Sequence, residues 1–412
     1  MAFLRQVRVI DPVHNLDQSM DVRLDNNRIG AIAAHLPSSE GDQSIDAAHL
    51  IFAPALIDLY SCCGEPGYEE RETLATMHQA AIAGGFGQVN LLPNTSPAID
   101  NPATVSWLAQ QLPAVGPQVL KPWGAITVDT KGAQLTELGE LAQSGIVGFA
   151  DGKAITDIGL LRRMLEYAAP IDKPIMLWAN DPVLAGGGIA REGVEALRFG
   201  LSGNPVYSET APLGAILELV AEIGTPIHLM RLSTARGVEL IQRAKQGGLP
   251  ITASVTWLHL LYSTSDLAGY DPNLRLSPPL GNETDRQALI EAVKTGVIDA
   301  IAVDHQAYTY EEKTVAFGEA PTGALGLEFV LPMLWQKLVV PGQLSGLQLW
   351  KALSQGPAYC IQQAIDPMQP EIMGYVLFDP AVTWTVGDLQ SRSRNTHLLN
   401  QMIQGKVLQL FA

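Results

Sequence analysis

Cysteine is scarce. The chain of 412 residues has three, Cys62, Cys63 and Cys360, too few for a disulfide framework, and this points to a reducing compartment. Positive charge is also in short supply: 26 Lys and Arg stand against 42 Asp and Glu, a formal net charge of −16. No basic block offsets that excess, which excludes a phosphate-backbone partner. Long apolar runs are missing as well. GLEFVLPMLW (Gly326–Trp335) falls well short of the ~20 residues that cross a bilayer. The opening MAFLRQVRVIDP has no apolar segment of signal-peptide type before its charges resume. The expectation is a cytoplasmic protein with no membrane and no nucleic-acid partner.

What is present is enough apolar residue, 47% of the chain, to build one large core and a smaller one. Before Leu50 the sequence runs in short alternating stretches, QVRVI and DVRLDNNRIGAIAA, with Asn26–Asn27 as a tight turn. The same texture returns in GYVLFDP, TWTV and KVLQLF near the other end. Residues 1–50 and 370–412 are therefore expected to form one composite β-sandwich.

Residues 51–369 follow another rhythm. Apolar, β-rich runs fall at Ile51–Leu59, Gln88–Leu92, Pro122–Thr127, Ile146–Ala150, Pro174–Trp178, Pro226–Leu232, Ile251–Trp257 and Ile298–Val303. Helical periods separate most of them. ERETLATMHQAAIA (Glu70–Ala83) places Leu74, Met77 and Ala81 on one face and stops at Gly84–Gly85. Eight strands alternating with helices predict an α/β fold, a (β/α)8 TIM barrel. In that fold functional side chains gather at the C-terminal ends of the strands. Those positions hold Tyr60 and Cys62, Asn94, Asp151, Trp178 and Asn180, Arg231, Trp257 and His259, and Asp304 with His305.

This set suits zinc poorly. Trp178 cannot ligate, Arg231 is permanently cationic, and Tyr60 would have to ionise. His228 lies within its strand, and it and His259 read as hydrogen-bonded structural histidines. Cys62 has no neighbouring His in sequence to support a nucleophilic dyad and reads as a small packed side chain.

DLYSCCGEPG, LPNTSP, LAGGG, STARGVELIQRAK, SPPLGNETDR, IDAIAVDH, YEEKTVAFGEAPTGALGLE and SRSRNT together resemble a dihydroorotase of the bacterial type, in the amidohydrolase superfamily. The resemblance runs along nearly the whole chain. It implies a metal-dependent barrel that interconverts dihydroorotate and carbamoyl aspartate. The departures are concentrated at the metal. The family's strand-one pattern D-L-H-V-H-L-R-E-P-G places Tyr60 and Cys62 where metal histidines stand, and Gly64 where an arginine holds the substrate carboxylate. Two further histidine positions fall on Trp178 and Arg231. FADGK is one acidic residue shorter than the family segment, leaving Asp151 as a residual ligand at most. On the substrate side Ser277 replaces an asparagine, Gly281 an arginine and Tyr308 a histidine. Asn94, His305 and Asp304, at the general-base position, remain.

The resemblance with these losses implies a non-catalytic subunit with no cofactor. Its expected partner is aspartate carbamoyltransferase, or a second copy of itself. Asp304 is expected to pair with Arg231 across the barrel mouth, because a buried lone carboxylate is costly. Two alternatives stand beside this reading. One is an active zinc amidohydrolase with a site rebuilt from Cys62, Asp151, Asp304 and His305. The other is a small-molecule sensor in which Arg231 and Asn94 bind an anion.

Overall fold

The computed structural model describes residues 2–25, 28–37, 43–115, 119–363 and 374–411. The expected Asn26–Asn27 turn and the 370–373 edge of the second sandwich segment lie outside the described residues. Strands from both chain ends share a seven-stranded sheet. It contains β1 (Ala2–Asp11), β2 (Leu16–Asp25), β3 (Arg28–Ala33), β4 (Gln43–Asp46) and β5 (Ile51–Pro54), with β16 (Tyr375–Thr385) and β17 (Met402–Phe411). The order is β17-β16-β5-β1-β2-β3, with β4 beside the first half of β1.

The run Ile51–Leu59 is two strands, not one. Ile51–Pro54 pairs antiparallel with β16 in the sandwich sheet, and the barrel begins one residue later with β6 (Leu56–Ser61). Side-chain alternation explains why this junction is apolar throughout. Phe52, Tyr375 and Leu377 face a small separate core with Leu4, Val22 and Phe411. Ile51, Ala53, Val376 and Phe378 turn the other way, into the main core beneath the barrel helices.

The barrel strands are β6, β7 (Phe86–Leu91), β8 (Leu120–Pro122), β9 (Phe149–Ala150), β10 (Ile175–Trp178), β13 (Ile227–Met230), β14 (Ile251–Thr256) and β15 (Ala300–Ala302). Between β10 and β13 in sequence, β11 (Ala190–Arg191) and β12 (Gly203–Asn204) form a short parallel pair of their own. Strands β6-β7-β8 and β9-β10-β13-β14-β15 form two arcs of parallel strands. A bridge between Gly124 and Phe149 joins them on one side. The ring closes on the other, where the Cys62 amide donates to the His305 carbonyl at 2.8 Å and the Asp304 amide to the Tyr60 carbonyl at 3.1 Å. Inside are Ile57, Leu59, Leu92, Trp123, Met176 and Met230, plugged below by Ala358 and Cys360. Most observed strands are shorter than the predicted runs, but β7 begins at Phe86, two residues ahead of the run Gln88–Leu92, and β8 shares only Pro122 with the run Pro122–Thr127.

The helix predicted from Glu70 begins at Leu74, capped by Thr73, whose hydroxyl accepts the Thr76 amide. It ends at Gly84 and Gly85 as its sequence indicates. A Cβ on Gly84 would lie 2.0 Å from the Leu327 carbonyl oxygen, so the glycine lets this helix close on the segment after β15. The helix Tyr207–Ile223 ends on left-handed Gly224 and the helix Glu283–Thr295 on left-handed Gly296.

His228 and His259 are built into the scaffold. On β13, the His228 Nδ1 is 2.8 Å from Thr252 Oγ1 and its Nε2 is 2.8 Å from Ser254 Oγ, so the ring ties β13 to β14. Burial, and to a lesser degree Lys245, lowers its pKa to about 3. His259 bonds Thr256 and the Pro278 carbonyl, and burial lowers its pKa to about 4. Both rings stay neutral in the fold while an unfolded His gains a proton near pH 6.5. The stability they contribute is complete above about pH 6.5 and is lost as the pH falls toward 4 and then 3.

Two outcomes follow for stability. Urea unfolding between pH 7 and pH 5 should show a loss of about 2 kcal/mol per buried histidine, and His228→Gln should flatten that dependence. Gly84→Ala should cost about 2–4 kcal/mol by forcing backbone apart. In contrast, Gly214→Ala, in a helix with no atom near the added Cβ, should be neutral or stabilising by up to ~1 kcal/mol.

Candidate functional site

The strand ends open on a cavity of about 270 Å³ at the barrel mouth, walled by Trp178 at the end of β10 and by residues that follow β6, β7, β9, β13, β14 and β15. Its floor is set by Arg231 at the end of β13. The guanidinium forks onto Asp304 at the end of β15: Nε donates to Oδ2 and Nη2 to Oδ1, both at 2.7 Å. Nη1 donates to the Gly152 carbonyl at 2.7 Å, which ties the loop after β9 into the same contact. The side chains are 4% and 11% exposed. Burial opposes the charge on Arg231, but Asp304 outweighs it and the guanidinium pKa is raised. The rings of Trp178 and Tyr60 stand 5.0 and 5.6 Å from the guanidinium carbon, at cation–π range. Both Arg231 and Asp304 hold left-handed backbones, φ 57° and 52°, a conformation costing about 1–2 kcal/mol for an L-residue. The expected pair is thus present and bidentate.

Tyr60 and Cys62 play different parts. The Tyr60 hydroxyl accepts the Arg231 amide at 3.1 Å and lies 3.2 Å from Ser254 Oγ. Burial, with Asp304 adding to it, raises the phenol pKa, so phenolate ligation is opposed. A register shift between Asp58 and Ser61 interrupts the alternation and lets Leu59 and Tyr60 both join the barrel interior. Cys62 lines the cavity, yet burial first and Asp304 second push its thiol up to about 12. Cys63 packs in the main core, and burial raises its pKa too. Burial thus favours the neutral thiol at both positions at neutral pH.

The other candidate ligands are committed elsewhere. Asp151 accepts the backbone amides of Ile126 and Thr127 at 2.8 and 3.0 Å and the Thr127 hydroxyl at 2.5 Å, which holds β9 to the loop after β8. His305, expected at the pocket, lies behind its wall at 1% exposure. Its Nδ1 accepts the Gly326 amide at 3.2 Å, which leaves Nε2 to donate to Glu72 at 3.3 Å. Glu72 also accepts the Ser391 hydroxyl and the Arg392 amide, so His305 anchors the SRSRNT segment to the barrel. Among the described residues no three His, Cys, Asp or Glu side chains converge on a point that could hold a metal. The donor set does not fit zinc, and a fixed cation already occupies Asp304.

Asn94, Gly64, Ser277 and Tyr308 do line the cavity. The Asn94 Nδ2 donates to the Asp151 carbonyl at 2.8 Å and to Thr130 Oγ1 at 3.3 Å, so both its donors point into the wall. At Gly64, where the resemblance calls for an arginine, a Cβ would lie 2.2 Å from the Tyr68 carbonyl oxygen and 2.5 Å from that of Glu72. The loop has folded onto the vacated position. Two cations that the sequence reading passed over reach the cavity instead, Arg71 and Lys153. Lys153 was visible as the last residue of FADGK, whereas Arg71 sits in a stretch that reads as the start of a helix.

Comparison with known proteins agrees with the geometry of the fold. The family described as "Dihydro-orotase-like" matches residues 49–235. A "Probable dihydroorotase-like protein" of Synechocystis sp. is 46% identical, with 98% of each chain covered. A "Dihydroorotase" of Solibacter usitatus is 34% identical over 95% of this chain and 92% of its own. A "Dihydroorotase-like protein" of Pseudomonas aeruginosa is 35% identical over 98% and 96%. Among solved structures, L-hydantoinase from Arthrobacter aurescens superposes with a TM-score of 0.85 over 99% of this chain and 94% of its own, at 20% identity. Dihydropyrimidinase from Brevibacillus agri superposes at 0.80, over 100% and 93%, at 18% identity. These show the fold, a barrel with an attached β-sandwich domain, and the chain belongs to the dihydroorotase-like family.

Proposed function

We propose that this chain is a non-catalytic dihydroorotase-like subunit that serves pyrimidine biosynthesis through assembly rather than turnover. One observation carries the reading: the guanidinium of Arg231 lies fork-on on Asp304. Hydrolysis of a cyclic amide in this family type needs a metal-activated water and a carboxylate free to take its proton. Here that carboxylate is neutralised by a cation that cannot deprotonate. Cys62, Asp151 and His305, which a rebuilt metal site would need, are a protonated thiol, a strand clamp and a buried anchor. The partner this reading names is aspartate carbamoyltransferase, whose product is the substrate of dihydroorotase.

The full-length chain purified without chelators, and again after zinc supplementation, should hold no stoichiometric zinc. It should neither open dihydroorotate nor close carbamoyl aspartate above the buffer rate. Stoichiometric zinc together with turnover in either direction would overturn the non-catalytic reading. Co-elution with aspartate carbamoyltransferase of the same organism on size exclusion is the expected outcome for the partner, and separate elution would remove it.

The buried pair has its own signature. Arg231→Met should destabilise the fold by about 3–5 kcal/mol, because it strands the Asp304 charge. The double variant with Asp304→Asn should recover a large part of that loss. A full additive penalty in the urea midpoints would mean that the two residues act independently.

A further inference from the structure

We infer that the chain has a second ligand site at the end of the barrel opposite the mouth, which takes a small carboxylic acid with an apolar body between Lys121 and Lys173. The site uses none of the strand-end residues at the mouth, so it stands whether or not the barrel turns over a substrate.

The cavity itself is the first observation. It has a volume of about 640 Å³ and lies at the N-terminal ends of β8, β9 and β10, against the helix Pro102–Val115. Its apolar wall is made by Val105 and Leu112 of that helix, with Leu120, Ile146 and Ile361. A space of this size and character buries the carbon skeleton of a small organic ligand.

The charges are the second. Lys121, Lys173 and Asp172 line the cavity, which leaves one net positive charge. Asp172 is exposed. Among the described residues neither ammonium has a carboxylate partner: Lys121 Nζ donates to Gln88 Oε1 and Lys173 Nζ to the Ile146 carbonyl, both at 2.8 Å. An ammonium carries three N–H donors, so two remain on each. Burial alone lowers the Lys121 pKa, as it does for an amine with no counter-charge. A ligand with a single carboxylate supplies that charge.

Placement is the third. Lys121 is on β8 and Lys173 lies just before β10, so the two ammonium groups flank the start of β9. Lys121 is also held from inside the barrel. Gln88 and Asn90 on β7 are buried; Gln88 Nε2 donates to Asn90 Oδ1 and Asn90 Nδ2 to the Asp58 carbonyl, both at 2.8 Å. These bonds turn Gln88 Oε1 toward Lys121 and fix its ammonium at the cavity. Apolar wall and paired cations together select an amphiphilic monoanion: a bare anion leaves the wall unfilled, and an uncharged chain leaves Lys121 without a counter-charge.

Isothermal titration of the full-length chain with octanoate, acetate and 1-octanol tests the inference. Octanoate should bind about 10-fold or more tightly than acetate, which lacks the apolar body, and than 1-octanol, which lacks the charge. Lys121→Gln and Lys173→Gln should each weaken octanoate by about 10-fold. Lys121→Gln should keep or raise the melting temperature, because it removes a half-buried charge without a partner. If that variant melts lower than the parent, Lys173→Gln, altered at a turn before β10, decides alone. Lys131→Gln, an exposed lysine paired with Asp129, should bind as the parent does. No heat with octanoate, 1-octanol or acetate binding as tightly as octanoate, or undiminished binding by Lys173→Gln would each overturn the site. Loss of octanoate binding in Lys153→Gln would place the anion at the mouth and overturn it as well.

Discussion

The Arg231–Asp304 fork is the contact on which the barrel mouth depends. It spans the ends of β13 and β15, draws the loop after β9 in through the Gly152 carbonyl, and rests against Trp178 and Tyr60. A carboxylate left buried at that point would need a cation, a proton or a metal. The chain supplies a cation of its own. Every other substitution at the strand ends is compatible with that choice, because Tyr60 and Trp178 give a guanidinium aromatic faces where histidines would have competed for the same carboxylate.

Asp151 and His305, both at strand ends, are held by structural bonds. Asp151 clamps the turn after β8, and His305 bonds Glu72, which in turn gathers the backbone and hydroxyl of the Ser391–Arg392 segment. Glu72 keeps its pKa low: burial works against ionisation, but the His305 bond and the donors around it prevail. The cavity at the mouth is lined by three cationic side chains, Arg71, Lys153 and Arg231.

Much of the fold was legible. Alternating apolar periods marked eight barrel strands and the sandwich strands at both ends, and Gly84–Gly85 marked the end of the helix that follows β6. The run Ile51–Leu59 misled because both of its halves are buried on both faces, so no polar residue marks where one sheet hands over to the other. At the site, the Arg231–Asp304 pair could be inferred because opposite charges at the ends of β13 and β15, separated in the ring by β14 alone, have little choice in a dry barrel mouth. His305 could not be placed in the same way, since its partner Glu72 is 233 residues away in sequence and belongs to a loop with no periodicity.

The sequence by itself determined the architecture and the residue types at the strand ends, Tyr60, Cys62, Trp178, Arg231 and Asp304 among them, because strand order and residue type follow from local pattern. Only the tertiary structure decided which charges meet. Arg71 and Lys153 lie on separate loops with nothing in their neighbours to relate them, and closure of the ring brings both to one cavity. It also decided that Gly64 is not an empty position but a filled one, since the carbonyls of Tyr68 and Glu72 occupy the space in which an arginine would begin. Close packing of backbone against backbone leaves no trace in the order of residues.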